Sequence, residues 1–300
     1  MARKRNLKTI FRWIGIVGSI ICLVIFINTP SFPTPDKLLI FLAFVFMTLG
    51  QATELIRRLL PFVALLLVYE SFRGLVPLIN HRVEFSWMVD ADKALFGSLP
   101  TASLQHAWWH GSLMWYDFVF YLAYLLHFVV PVGLAILIWK KRDWFYWRFV
   151  WSFLSLSFMG FLTYLALPAA PPWMAAEQGY IEPITRISSH VWYALGIHDF
   201  PSLYNKIAPN PVAAVPSLHA AYAVLFAIII TKLFGKKWGL LASVYPVVLS
   251  LGVVYQGEHY VIDVTLGAIY AFVAYFLAMW GFRRFSATHN NELKKATDKD

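Results

Sequence analysis

A single cysteine, Cys22, lies in an apolar run of this 300-residue chain. That excludes an intramolecular disulfide framework and a cysteine-rich metal site. Charge is scarce as well: Asp, Glu, Lys and Arg make up 14% of the residues, well below the roughly 25% of a soluble domain. There is no acidic cluster and no set of Cys/His pairs at metal-ligand spacing. His106 and His110 are four apart, but they sit among Trp108, Trp109 and Trp115 and read as interface residues. No small-residue cleavage site follows the basic, then apolar, N-terminus. Its run ends in the proline-rich stretch 28–36, so it reads as an uncleaved first span. No internal repeat is visible, which argues against a transporter built from inverted repeats.

What the chain has instead is hydrophobic length. Apolar residues make up 59% and aromatics 18%, with a mean hydropathy of +0.61. These values place it in the polytopic membrane class. Candidate spans fall at about 10–28, 37–52, 59–79, 113–139, 147–168, 217–234, 238–256 and 259–282. The net charge of +9 follows their alternation. One side collects 19 of the 25 basic residues, from the Arg3–Arg12 segment, Arg57 and Arg58, the 140–148 turn, Lys232, Lys236 and Lys237, and the C-terminal tail. Lys37, Arg73, Arg82, Lys93, Arg186 and Lys206 fall on the other. The positive-inside rule then puts both termini in the cytoplasm, and the basic charge reads as a topology signal with no nucleic-acid partner. The expected fold is an all-α polytopic membrane helix bundle of about eight transmembrane helices. Residues 1–58 form an accessory pair, 59–285 the catalytic membrane domain and 286–300 a disordered cytoplasmic tail. The long outer segments 80–112 and 169–216, rich in Trp, Pro and Gly, read as an interfacial lid.

Two stretches carry chemistry. In 257-GEHYVIDVTLGAIY-270, His259 and Asp263 share a helical face. A carboxylate there accepts the Nδ1 proton of the imidazole and leaves Nε2 free as nucleophile or base. An aspartate in an apolar span costs roughly 2.5–3.5 kcal/mol at the bilayer centre, so its presence argues for function. In 214-AVPSLHAAYAVL-225, His219 opens the other run, with Pro216 suited to a first helical turn. Ser217 and the free N–H groups of that turn offer an anion site. Both histidines begin spans at the outer face. Two histidines, an orienting carboxylate and an anion hole are the parts that phosphoryl transfer through a phosphohistidine requires.

PSLH followed by HYVID resembles the second and third motifs of the type-2 phosphatidic acid phosphatase superfamily, in the variant of inositol phosphorylceramide synthases and their prokaryotic relatives. Residues 95-LFGSLPTASLQ-105, 116-YDFVFYLAYLLHFVVPV-132 and 168-PAAPPW-173 extend the likeness over roughly 90–280. The resemblance implies that the last six spans form the catalytic core. It also implies His259 as nucleophile, Asp263 as its orienter and His219 as the group that protonates the leaving oxygen, with no cofactor and no metal. The phosphate-gripping arginines of the phosphatases are absent: Val253 stands six before His259, and Lys93 is followed by Pro100 without an arginine. Arg73 is the first candidate for that task and could instead pair with Glu70 on its own turn. Arg186 and Lys206 come after it. Asp117, Tyr121, Tyr124 and His127 form a polar stripe on the fourth span. The stripe is either an interhelical seam or, at Asp117, a substrate contact.

The reading is a lipid phosphotransferase or phosphatase acting on a phospholipid or polyprenyl phosphate, with an alcohol acceptor or water. Alternatives are a plain phosphatase on phosphatidate or polyprenyl phosphate and, from another class, a proton-coupled lipid or solute transporter.

Overall fold

A computed structural model describes residues 2–28, 35–196 and 210–297, with side chains omitted at 2–7, 35–36, 70 and 285–297. Among the described residues eight long or apolar elements make the bundle: α1 (Ala2–Asn28), α2 (Pro35–Thr48), α3 (Ala52–Arg73), α7 (Trp115–Arg142), α8 (Tyr146–Ala166), α11 (Leu218–Phe234), the broken pair α12 (Lys236–Ala242) and α13 (Val244–Tyr255), and α14 (Val261–Thr297). Short helices fill the connections: α4 (Val76–Ile79), α5 (Trp87–Phe96), α6 (Pro100–Trp108), α9 (Pro172–Glu177) and α10 (Ile187–Ala194). Among the described residues no strand forms, and two isolated bridges join Glu84 to Ala169 and Ala169 to Ala213. The all-α expectation therefore holds. The backbone of α14 runs on to Thr297, across most of the stretch expected to be a disordered tail.

Among the described residues five stretches are long and apolar enough to cross a membrane: Lys8–Asn28, Ala52–Ile79, Trp115–Ala166, Lys236–Tyr255 and Val261–Arg284. The third holds two helices, α7 and α8, separated by a 3₁₀ turn at Asp143–Phe145. Lys37–Thr48 and Leu218–Phe234 are apolar but shorter. Pro61 and Pro131 lie inside α3 and α7, which helices in a bundle tolerate because neighbours reorganise around the freed carbonyl.

The main core lies among α3, α7, α8, α11 and α14. Leu59, Phe62, Phe149, Phe153, Leu225 and Ala274 are all buried there. Helix α1 packs on α2 and presents Ile10, Trp13, Val17, Ile21, Val24 and Ile27 outward, a lipid-facing stripe. The far end of the bundle from the histidines is basic. Arg142 lies over the Phe234 ring at the end of α11, and Arg58 pairs with Asp143 at 3.1 Å.

Segments 80–112, 169–196 and 210–216 form a layer over the opposite end. Backbone bonds run from Glu84 N–H to Pro168 O, from Ala170 N–H to Glu84 O and from Ala169 N–H to Val212 O. The Gln105 amide, buried, donates to Thr185 O and Tyr255 O and accepts from Thr185 N–H, tying α6 to both neighbouring segments. Trp173 N–H bonds Gly257 O, so the 168–173 segment docks directly on the turn before His259.

Candidate active site

Helix α11 begins at Leu218 with Ser217 as N-cap, its hydroxyl accepting from Ala220 N–H at 3.3 Å. Pro216 therefore precedes the cap, a correction to its expected place in the first turn. It follows a cis peptide bond, and its carbonyl accepts from the Tyr164 hydroxyl of α8 at 2.8 Å. Because the Ser217 hydroxyl is engaged and fully buried, anion contacts at this turn fall to the backbone N–H groups of Leu218 and His219.

The second half of the site is the turn into α14. Gly257 takes φ +78°, the left-handed conformation that glycine adopts without strain. His259 follows and Asp263 sits in the first turn of the helix. Two carboxylates satisfy the donors of that turn. Asp263 Oδ2 accepts from Tyr260 N–H at 2.8 Å, while Asp92 of α5 accepts from Val261 and Ile262 N–H, each at 2.9 Å. Both carboxylates are fully buried. Burial pushes the Asp92 carboxyl above its ordinary 3.8, with the two N–H bonds pulling the other way. Sequence reasoning missed Asp92, which lies 169 positions from the donor it caps.

The two turns meet. Ser217 N–H donates to Asp263 O at 3.0 Å. The approach is possible because residue 267 is glycine: a Cβ there would lie 2.3 Å from Ser217 O. His219 Nδ1 and His259 Nε2 end 3.2 Å apart. On the other side of the ring, His259 Nδ1 faces Asp263 Oδ2 at 3.4 Å, at the long limit of a hydrogen bond. Catalytic hydrogen bonds are commonly long before substrate binds. With Nδ1–H of His259 toward the carboxylate, Nε2 carries the lone pair, and His219 Nδ1–H donates to it. The three residues singled out from sequence thus form one line, Asp263–His259–His219, with His259 and Asp263 almost completely buried.

Helix α7 supplies the facing wall. Tyr124 stacks on the His219 ring with centroids 4.6 Å apart, and His127 lies 4.4 Å from the same ring. His127 also contacts Tyr222 of α11, whose hydroxyl shares a hydrogen with Ser157 of α8. The polar stripe on this helix therefore reaches the histidines, beyond a helix–helix seam. Arg73 of α3 is close enough to act electrostatically on His127, His219 and Tyr164, three side chains from three other helices. Glu70, its expected partner, lies outside the described side chains.

Other candidates go elsewhere. Asp117 is fully buried and its Oδ2 accepts from Met114 N–H at 2.7 Å, so it caps the start of α7. Its other oxygen, Oδ1, is buried without a hydrogen-bond partner. Arg186 forks onto Glu258 through Nε and Nη2, at 2.8 and 3.0 Å, and lies 4.0 Å over the Trp173 ring. Ser188 also donates to Glu258. Burial alone would raise the Glu258 carboxyl, but Arg186 and Ser188 bring it below its ordinary 4.5. Arg186 is thus committed to the outer layer. Lys206 lies outside the described residues. His106 and His110 are both exposed, in line with interface residues.

A membrane bundle with two histidines and an aspartate joined at one end defines a class, and the comparison of families names it. The PAP2 superfamily matches residues 86–277, and the chain belongs to that superfamily. Among proteins of known function it is similar to the phosphoinositol dihydroceramide synthase of Bacteroides thetaiotaomicron. The two are 30% identical over 251 residues, covering 77% of this chain and 79% of that protein. No solved structure matches the chain. The chain is an enzyme of this superfamily, a membrane lipid phosphotransferase or phosphatase.

Proposed function

We propose that the chain transfers a phospho-alcohol headgroup from a phospholipid to a lipid alcohol through a phosphohistidine on His259, at the outer face of the membrane. The observation that carries this reading is the line Asp263–His259–His219, with contacts of 3.4 and 3.2 Å. In the first half-reaction the Nε2 lone pair of His259 forms a bond to phosphorus while the bond to the donor lipid oxygen breaks. His219, entering as the imidazolium, gives one proton to that oxygen and stays behind as neutral imidazole, and Asp263 balances the positive charge that grows on the His259 ring. In the second, an alcohol gives its proton back to His219 and its oxygen displaces phosphorus from His259. Arg73 and the first-turn N–H groups of α11 neutralise charge on the phosphoryl oxygens.

The relative's name supports a phosphoinositol headgroup and a ceramide-type acceptor here. Hydrolysis of phosphatidate or of a polyprenyl phosphate uses the same line with water as acceptor. Membership of the superfamily favours enzyme over transporter. A cytoplasmic placement of the termini is supported by the basic end of the bundle, where Arg58, Lys140 and Arg142 lie.

The test incubates purified protein with headgroup-labelled phosphatidylinositol, with and without ceramide. Labelled inositol phosphorylceramide that requires both lipids, and that disappears in His259→Ala, is the expected product. Release of water-soluble inositol phosphate alone would make the enzyme a hydrolase. Full transfer by His259→Ala would remove the phosphohistidine.

A further inference from the structure

The same 3.2 Å contact that identifies the site also closes it. In-line attack needs roughly 3 Å from nitrogen to phosphorus, and the leaving oxygen must in turn lie about 2.8 Å from the nitrogen that protonates it. A phosphoryl group held between His259 and His219 therefore requires the two nitrogens to stand roughly 5–7 Å apart. The His219 ring must turn away from His259 when substrate arrives. It then loses the acceptor that its Nδ1–H holds in this arrangement.

The neighbour it turns among is His127. This ring lies 4.4 Å from His219, on α7, and its Nδ1 is buried without a hydrogen-bond partner. Rings hold it in place: Phe128 at 5.1 Å, edge-on, and Tyr222 at 5.1 Å. An imidazole nitrogen left unpaired beside the mobile acid of a catalytic line is a partner in waiting. A phenylalanine would pack equally well against Tyr222 and Phe128, so packing alone does not account for a histidine here.

We propose that His127 is a positioning residue for His219: once a phosphoryl group has parted His219 from His259, His127 Nδ1 accepts one N–H of the doubly protonated His219 ring and so aims the other N–H at the leaving oxygen. This rests on the phosphohistidine reading above. His127 touches neither phosphorus nor the nucleophile. Its influence passes through His219 and is felt only where the leaving oxygen needs a proton.

The experiment compares His127→Phe with wild type on two donors, phosphatidylinositol and a p-nitrophenyl phosphodiester whose leaving oxygen needs little protonation. A loss of ten-fold or more in kcat on the lipid, with a much smaller loss on the activated ester, is the expected result. His127→Gln, which keeps a hydrogen-bonding group, should recover part of the lipid rate. If the phenylalanine variant does not accumulate, Gln against Leu gives the same comparison. Equal losses on both donors, or wild-type rates on the lipid, overturn the inference while leaving the phosphohistidine intact. Transfer that survives His259→Ala overturns both together.

Discussion

Asp263→Asn separates the charge of the orienting carboxylate from its geometry. The carboxylate Oδ2 is held by Tyr260 N–H at 2.8 Å and faces His259 Nδ1 at 3.4 Å. In the variant the Tyr260 N–H selects the amide oxygen for that same place, so His259 keeps an acceptor at Nδ1 and the helix keeps its cap. What vanishes is the negative charge. Two full charges 3.4 Å apart interact by about 5 kcal/mol at an effective dielectric of about 20. If half a charge develops on the ring at the transition state, about 2.5 kcal/mol is lost, or a factor of about 10² in rate. The assay is headgroup transfer from labelled phosphatidylinositol to ceramide, with thermal unfolding measured on the same preparation. Asp263→Ala should match the loss in rate and add a loss of about 1 kcal/mol in stability, because Tyr260 N–H then loses its partner. Turnover of Asp263→Asn within a few-fold of wild type, at normal stability, would refute the electrostatic role and make Asp263 a helix cap only.

Three further outcomes follow from the geometry. Asp92→Asn keeps one acceptor where Val261 and Ile262 need two, so about 1–3 kcal/mol of stability should be lost in thermal unfolding, with transfer falling alongside it. Gly267→Ala places a methyl group against the Ser217 carbonyl. The strain, about 1–3 kcal/mol, should lower activity more than a Gly133→Ala control, where a Cβ meets nothing within 4 Å. Glu258 titrates below 4.5 in the fold, so the Arg186 pair contributes stability that is complete above that pH and lost as pH falls through the folded value. The gap in unfolding temperature between wild type and Glu258→Gln should therefore be widest near neutrality and narrow as pH falls below 4.5 toward the folded value.

Much of this was legible along the chain because membranes impose one-dimensional rules. A span must be apolar over its length, basic residues sort to one side, and a charged residue inside an apolar run stands out against the cost of placing it there. The four-residue spacing announced the contact of His259 with Asp263, although α14 begins only at Val261 and His259 reaches the carboxylate from the turn before it. His219 could be paired with them because the alternation of spans brings both histidines to one end. Short-range hydrogen bonding was harder to place. The first turn of α11 starts after Pro216, because the Ser217 hydroxyl and the Tyr164 bond to Pro216 O set where the helix begins.

Tertiary structure alone decided the partners that lie far apart. Asp92, in a short outer helix, caps the start of α14 across 169 positions, and nothing in its local pattern distinguishes it from a solvated acid. Arg186 looked available for substrate until the fold paired it with Glu258. His127 looked like a seam residue until α7 and α11 packed and brought its ring against His219. The physical reason is common to all three. Hydropathy and spacing report how a residue meets lipid and its own helix, whereas a buried polar group is defined by the one partner that satisfies it. That partner is chosen by packing.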